Sequence, residues 1–356
     1  LGEGIKHQQS RGQAALEIPG LPPTAATDLE AALRKLIAER ELPLYRMMAF
    51  HMGWVDENGA PLHRPAPDRA HGMLALAASH AACGDHRPAL GCAVAVETVH
   101  NFWQIHADVE DGNTERAGRP SVWWTWGPAQ AINAGDGMHA MARLAIFDLR
   151  RDGVPSERVA AALGALDEAT VRLCEGEYLD ITYQERLSLT VDDYLKMAEA
   201  RSGALLGCAA RLGGMAGPGG SEDRASHLGE FGLKLGVARQ VAGDVAAFWG
   251  EGDRDQVQQG RLIAKKKSLP VVHAMSHADA TTRRRLGDLY VQRVLDPASI
   301  KTVAAMMEAC GSRRFAEDNL ARLLAEADGA LVAARLSSSG TELLRAAARQ
   351  IAAAAG

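Results

Sequence analysis

The 356-residue sequence predicts an all-α protein, and three observations support this fold class. Aromatic residues make up only 5% of the chain while alanine and leucine are abundant, a composition that favours helix over sheet. Apolar residues recur at helical spacing along most of the chain, and no segment shows the alternation typical of a half-buried strand. A hydrophobic content of 47% supplies enough apolar surface for a folded core.

The predicted helices follow one another with little interruption. Residues 1–25 are polar and then proline-rich, which predicts a loose leader. Thr27 and Glu30 have the spacing of a capping box, and the leucines and isoleucine of residues 29–37 then share one helical stripe. Further helices are predicted, in chain order, over residues 70–83, 88–112, 128–149, 156–177, 190–213, 226–249, 296–309, 312–334 and 341–354.

Domain boundaries are harder to place, because only short glycine- or proline-containing segments separate these helices. The glycine-rich stretch 213–220 is the best candidate for a boundary, yet it is equally compatible with a loop between helices. We therefore expect one helical domain over residues 26–356. Several of its helices exceed the usual globular length, which predicts a bundle whose central helices are enclosed by others.

Charge and cysteine content exclude several classes of function. A formal net charge of -5 gives no basic field that would attract nucleic acid. Five scattered cysteines without a CxxC pair argue against disulfides and a thiolate zinc site, and for a reducing, cytoplasmic location. No secretory signal is recognisable, and no apolar run is long enough to span a bilayer. Nucleotide-binding glycine loops and the serine nucleophile elbow are absent as well.

The end of the helix predicted over 88–112 carries the first candidate for chemistry. Asp108 and Asp111 are three residues apart, so both carboxylates project from one helix face. Two neighbouring carboxylates repel each other unless a cation compensates, which predicts a magnesium site. The alternative is an ordinary solvated acidic cap at the end of a helix.

Motifs that follow in order give this pair a context. His106 to Asp111 (HADVED) precedes Arg116 to Pro120 (RAGRP), and a Gly-Asp pair follows at residue 135. Further along stand Glu177 to Ile181 (EYLDI), Arg201-Ser202-Gly203 and Lys267 to Pro270 (KSLP). This order resembles the trans-isoprenyl diphosphate synthases, or polyprenyl synthetases, over residues 42–335.

The resemblance implies both a fold and a set of partners. It implies an isoprenoid-synthase-like helical bundle around a central prenyl-chain cavity, and pairing of two copies through long helices into a homodimer. In that family three magnesium ions bridge two aspartate-rich helices to the diphosphate of a prenyl substrate. A prenyl diphosphate substrate and Mg2+ are therefore the expected ligands.

Both aspartate-rich motifs depart from the family pattern. Ala107 takes the place of the first aspartate in the first motif, and Gly243 takes that place in the second. Asp108, Asp111 and Asp244 are the carboxylates left as predicted metal ligands and catalytic residues. Magnesium prefers a full octahedral set of oxygen ligands, so the resemblance predicts a weakened Mg2+ site.

The cationic residues of the family are lost unevenly. Asp68 stands at the position of a lysine that holds isopentenyl diphosphate, while His71 and Ala117 replace arginines. By contrast, the residues expected to bind the allylic diphosphate substrate or to touch substrate remain. These predicted substrate-binding residues are Arg116, Arg201, Lys267, His100 and Gln240.

This asymmetry leads to one main hypothesis and two alternatives. The main hypothesis is an enzyme that ionises an allylic prenyl diphosphate for cyclisation or for transfer to a non-standard acceptor. The first alternative is a non-catalytic regulatory subunit that forms a heteromer with an active synthase. The second alternative is an ordinary trans-prenyltransferase that elongates chains with isopentenyl diphosphate.

Large aromatic side chains concentrate near the first acidic motif. Phe102 and Trp103 precede it by about one turn, in the region where bulky residues limit prenyl-chain length in relatives. We therefore expect both rings to close the end of a short substrate pocket. The alternative for each ring is ordinary core packing or a dimer interface.

Overall fold

The computed structural model describes residues 16–38, 40–63, 67–186, 188–250, 266–291 and 297–353, and these residues form a helical bundle. The first six helices are α1 (Thr24–Ala38), α2 (Pro43–His51), α3 (Ala70–Cys83), α4 (Leu90–Glu110), α5 (Val122–Trp126) and α6 (Pro128–Phe147). The next four are α7 (Ser156–Tyr183), α8 (Val191–Ala198), α9 (Ala204–Ala216) and α10 (Glu222–Trp249). The last five are α11 (Leu269–His277), α12 (Ala280–Val291), α13 (Pro297–Ala309), α14 (Ser312–Ala333) and α15 (Ser338–Ala353).

A short antiparallel hairpin lies between α4 and α5. Its strands are β1 (Glu115–Arg116) and β2 (Arg119–Pro120), with Arg116 paired to Arg119. Ala117 and Gly118 form the two-residue turn with φ values of 50° and 68°. Positive φ at both central residues matches the twist of a tight hairpin. The hairpin places Arg116 and Arg119 side by side on neighbouring strands.

The core joins most of these helices into one hydrophobic cluster that includes residues from Leu16 to Ile351. Helix α9 packs between α3 and α10, and α4 packs along α6. One close approach of two backbones lies where α10 crosses the turn before α9. A Cβ atom built on Gly236 would lie 2.7 Å from the Cα of Gly203, so only glycine allows these backbones to meet.

The helix predicted over 190–213 is present, but its hydrogen-bond pattern changes partway along, at a π-helical turn. Thr190 caps α8 in a box with Asp193, the Thr190 side chain accepting from the Asp193 backbone N–H at 3.0 Å. A π-helical turn over Glu199–Gly203 then joins α8 to α9. Such turns widen a helix locally and are frequent at functional sites.

The beginning of the described chain differs from the sequence prediction. Leu16, Ile18 and Leu21 are buried, so this part of the expected leader packs on the core. Helix α1 already begins at Thr24, and the Thr27 hydroxyl donates to the carbonyl of Thr24 at 2.8 Å. The capping-box prediction is therefore corrected, because residue 27 lies one turn inside the helix. Across the described ranges no helix combines the length and apolarity needed to cross a membrane.

Candidate active site

A cavity of about 320 Å³ opens among α3, α4, the β1–β2 hairpin, α7, α10 and the segment before α11. Its charged and polar wall includes Asp68, Arg69, His71, Glu97, His100, Asn101, Gln104, Arg116, Arg119, Arg201, Ser202, Arg239, Gln240, Asp244, Lys266 and Ser268. Its apolar wall includes Trp103, Leu173, Leu205, Leu206 and Ala247. A polar region next to an apolar one suits a ligand with an anionic head and a hydrocarbon tail.

The hairpin supplies two of the cations. Arg119 donates to the backbone carbonyls of Phe50 at 2.7 Å and His51 at 3.2 Å, which fixes its side chain at the cavity wall. Arg116 forms a two-point contact with Asp108, Nε to Oδ2 at 2.9 Å and Nη2 to Oδ1 at 2.7 Å. Burial raises the pKa of the Asp108 carboxyl, while the Arg116 guanidinium acts in the opposite direction.

A second group of charges lies where α4, α7 and the segment before α11 meet. The Lys266 ammonium lies 2.7 Å from Asp111, 2.9 Å from Asp180 and 3.5 Å from Glu177. All four side chains are buried. The nearby carboxylates raise the pKa of Lys266, although burial alone would lower it. We call these four residues the lysine-centred cluster.

Arg201 joins this cluster from the π-helical turn. Its Nε lies 2.9 Å from Glu177 Oε2 and 3.3 Å from Asp180 Oδ2. Its guanidinium also covers the ring of Trp103, with 4.9 Å between the guanidinium carbon and the ring centroid. The Trp103 Nε1–H donates to Glu177 at 3.0 Å, so the ring is held at the cavity wall from two sides.

Asp244 and Gln240 lie on α10, where both line the cavity. Asp244 Oδ2 accepts from the Tyr194 hydroxyl at 2.6 Å and from the backbone N–H of Leu269 at 2.9 Å. Asp244 therefore ties α8 and α11 to α10. Gln240 accepts from the Ser202 hydroxyl and donates to Met197 Sδ at 3.7 Å, which fixes its amide beside the π-helical turn.

Around the start of α3, several groups are neutral or paired with an opposite charge, and they come from α3, α4 and α10. Asp68 pairs with Arg239 of α10 at 3.1 Å. The rings of His71 and His100 stack with their centroids 4.0 Å apart. Burial lowers the pKa of His71 to about 3, with Arg239 adding to the effect. Burial also lowers the pKa of His100 well below its ordinary value, so both imidazoles are neutral at pH 7.

Two predicted substrate residues lie elsewhere than the sequence indicated. Phe102 does not line the cavity, and its ring packs against His106 at 4.9 Å and His139 at 5.3 Å. Adjacent helical residues point about 100° apart, so Phe102 and Trp103 cannot both face the same space. Similarly Lys266, and not Lys267, reaches the cavity wall, while Lys267 is buried outside it.

The other predicted site residues lie either in the cavity wall or directly behind it. Trp103, His100, Arg116, Arg201, Gln240 and Asp244 line the cavity. Asp108 and Asp111 lie just behind the wall, where each is paired with a cation. Whether any of them acts on a substrate stays a prediction.

The residues present do not fit a cluster of three magnesium ions. Asp108, Asp111 and Asp244 are each engaged by a cation or by hydrogen-bond donors. Gly243 and Ala247 line the cavity at two positions where the resemblance would place carboxylates. Within the part of the chain that the structure describes, no group of three or more His, Cys, Asp or Glu side chains could hold a metal ion.

Sequence reasoning missed four contributors to this site. Arg119, Arg239, Glu177 and Lys266 were not predicted, although all contact a predicted residue or line the cavity. Glu177 and Asp180 share the three-residue spacing that identified the Asp108 pair, so the same criterion could have found them. Nothing local in the sequence distinguishes Arg239 from a surface arginine.

Comparison with known proteins identifies the fold. The crystal structure of a polyprenyl synthetase from Streptomyces coelicolor A3(2) has a TM-score of 0.84 and 29% sequence identity, and it covers 94% of this chain and 99% of that one. An all-α bundle of this class, with a cavity between its helices, is the isoprenoid synthase fold. The prediction of an all-α isoprenoid-synthase-like bundle is confirmed.

Sequence comparison identifies the family. The polyprenyl synthetase family model matches residues 64–307. A (2E,6E)-farnesyl diphosphate synthase of Mycobacterium tuberculosis is 32% identical over 296 residues, 82% of this chain and 81% of that protein. A geranylgeranyl diphosphate synthase of the same organism is 32% identical over 310 residues, 86% of this chain and 85% of that protein. This chain belongs to the polyprenyl synthetase family, as the ordered motifs predicted. Its relatives support the expectation of a prenyltransferase-class enzyme.

Proposed function

We propose that the cavity binds an allylic prenyl diphosphate and that the protein ionises it, for cyclisation or for transfer to an acceptor other than isopentenyl diphosphate. Family membership and the names of the relatives support the prenyl diphosphate as substrate class. The cavity offers matching chemistry. Arg116 and Arg119 provide positive charge, and Trp103 with Leu205 provides an apolar surface for the prenyl chain.

The observation that carries the acceptor part of this proposal is the Asp68–Arg239 pair beside two neutral histidines. A carboxylate placed next to a diphosphate repels it, and Arg239, which faces Asp68, is already engaged by that carboxylate. A neutral imidazole offers hydrogen bonds but no net charge to an anion. The region that the resemblance assigns to isopentenyl diphosphate is therefore poorly suited to a second diphosphate.

The residues present would support ionisation by electrostatics and by exclusion of water. The bond between C1 of the allylic chain and the diphosphate oxygen breaks, and the electron pair leaves with the diphosphate. Arginines fixed at the wall stabilise that developing negative charge at little reorganisation cost. The Arg119 side chain is held in this way by two backbone carbonyls. The walls formed by Leu173, Leu205 and Leu206 keep water from the allylic cation.

The test is a pyrophosphate-release assay with dimethylallyl, geranyl and farnesyl diphosphate, run with and without isopentenyl diphosphate and with and without Mg2+. We expect pyrophosphate release that isopentenyl diphosphate does not accelerate. Efficient formation of a longer prenyl diphosphate would overturn the proposal and would identify an ordinary chain-elongating synthase.

A second candidate function is a non-catalytic subunit of an active synthase. The absence of a metal-binding group among the described residues favours it, because relatives in this family rely on aspartate-rich motifs. Such a subunit would bind an allylic diphosphate without releasing pyrophosphate, and it would activate a homologue whose aspartate-rich motifs are complete. The same assay, run on the isolated protein and on the mixture, separates the two candidates. Light scattering would test the expected homodimer.

A further inference from the structure

A second cavity lies at the end of α3 that is remote from the candidate active site. It has a volume of about 750 Å³ and lies between the end of α3, the start of α10 and the turn from α14 to α15. His71 lines the first cavity and His80 lines the second, and these residues are about 14 Å apart along the α3 axis. Small-molecule sites have volumes of roughly 300–1,000 Å³, so this space could hold a ligand.

Three arginines from different elements line this cavity. Arg224 lies in the first turn of α10, and Arg349 lies on α15. Arg335 follows α14, where a φ of 51° turns the chain toward α15. Within the residues that the structure describes, none of these three guanidinium groups has an ion pair or a hydrogen bond with another residue. We call the space that they line the arginine cavity.

The negative charge in this wall is already engaged. Glu342 is the carboxylate among the described residues that line the arginine cavity. Arg345, which lies outside the wall, pairs with Glu342 at 2.8 Å and with Asp328 at 2.6 Å. The three lining arginines therefore give the cavity an excess of positive charge, which attracts an anion.

Two buried nitrogen atoms in the wall have no hydrogen-bond partner in the described part of the chain. They are Nε of Arg224 and Nδ1 of His80. A buried polar atom without a partner is rare in folded proteins, because it has lost its bonds to water. The hydroxyl oxygens of Ser337 and Ser339, 3.2 Å apart, line the same cavity at the start of α15. Hydrogen-bond donors from several elements thus converge on one space.

We propose that the arginine cavity binds a small polyanion, a molecule whose oxygen atoms carry two or more negative charges. Arginine binds phosphate and carboxylate groups through paired N–H donors, so several such groups could be held at once. The bound anion would connect α3, α10 and the turn from α14 to α15. This site is separate from the candidate active site, and the inference does not rest on the proposed reaction.

The experiment is arginine footprinting with phenylglyoxal, in which peptide mass spectrometry measures the modification rate of each arginine. The probes are pyrophosphate, citrate and acetate, added without Mg2+ at one ionic strength, which keeps salt screening constant. Arg116 and Arg119 report separately on the candidate active site. Arg314 on α14 is the internal control, because its side chain is 88% exposed and lines neither cavity.

We expect pyrophosphate or citrate to slow the modification of both Arg335 and Arg349 about tenfold at saturation. The more effective of the two identifies the anion as a phosphate or a polycarboxylate. Acetate should protect neither arginine, and none of the probes should protect Arg314. The melting temperature should rise with the protecting anion, because it binds the folded state only.

The matched variants are Arg224→Gln and Arg314→Gln, which remove the same charge inside and outside the arginine cavity. Arg224→Gln should weaken the protection of Arg335 and Arg349 about tenfold, because one charge-assisted hydrogen bond is lost. Arg314→Gln should leave that protection unchanged. If Arg224→Gln does not fold, Arg349→Gln replaces it, with Arg335 as the reporter, because Arg349 is exposed on α15.

Several results would overturn the proposal. One is modification of Arg335 and Arg349 at an unchanged rate in both polyanions. Protection confined to Arg116 and Arg119 would do the same while leaving the proposed function intact. Equal slowing at Arg314 would show a general salt effect, and protection by acetate would refute the polyanion class. Unchanged protection in a folded Arg224→Gln or Arg349→Gln variant would place the anion elsewhere.

Discussion

The buried histidine pair predicts that the protein loses stability in mild acid. His71 lies at the cavity wall, stacked on His100 and facing Arg239, with only 5% of its surface exposed. Its pKa is lowered from 6.5 to about 3 in the folded protein. The unfolded chain takes up a proton near pH 6.5, whereas the folded protein does not until about pH 3. The stability that comes from the neutral ring is complete above pH 6.5 and is lost as the pH falls toward 3.

The size of this loss follows from the two pKa values. At pH 8 the ring is neutral in both states, so it makes no difference to the free energy of unfolding. At pH 5 the unfolded state binds a proton that the folded state does not, which costs about 2 kcal/mol. His51 and His100 have pKa values lowered well below the ordinary value, mainly by burial, and each adds a loss of the same sign. A total of several kcal/mol is a large fraction of the stability of a typical domain.

Urea denaturation at pH 8 and pH 5 measures this effect, with His71→Phe as the perturbation. Phenylalanine keeps the ring stack on His100 but does not titrate. The wild type should lose about 2 kcal/mol more than the variant between pH 8 and pH 5, through a shift of the midpoint at constant slope. Between pH 8 and pH 9 the difference between the two proteins should stay constant. Equal losses in wild type and variant would refute the assignment of a neutral, buried His71.

Three further predictions concern packing and the cavity. Trp103→Ala should favour prenyl diphosphates at least one isoprene unit longer, whereas Phe102→Ala should leave the preferred length unchanged, as pyrophosphate release across chain lengths would report. Gly176→Ala should destabilise the fold by about 3 kcal/mol in urea titrations, because its Cβ would lie 2.6 Å from Arg201 Cα. Thr190→Ala should cost about 1 kcal/mol in the same titration through loss of the α8 cap, and an unchanged midpoint would contradict its capping role.

The sequence could predict the helices because their periodicity is a local property. The helix expected over 70–83 matches α3, and the one over 312–334 matches α14 to within a residue. Helices α2, α11 and α12 were not predicted, since they are short or carry little amphipathic pattern. The π-helical turn inside the predicted 190–213 helix also has no local signature, because it depends on contact between Gly203 and α10.

The site could be predicted only as far as the family motifs reach. Arg116, Arg201 and Trp103 line the cavity, because each lies in or beside a motif on a helix, helical turn or hairpin of fixed direction. Lys267 was preferred to Lys266 because of its place before Ser-Leu-Pro, but the residues at 266–268 precede α11 in irregular backbone. The direction of a side chain there depends on tertiary contacts, which the sequence does not supply.

The changes at positions 68 and 107 can be interpreted only together with the charged residues that lie near them. A carboxylate at position 68 suggests loss of anion binding, yet Arg239, 171 residues away in sequence, restores a pair of opposite charges. The lost aspartate at Ala107 suggests a weaker metal site, yet Lys266 meets the remaining Asp111 with a positive charge. In both places a charge substitution in a motif coexists with an opposite charge from a distant helix or segment. Decay of an unused site would leave unpaired charges in its wall, whereas Asp68 and Asp111 each lie beside an opposite charge.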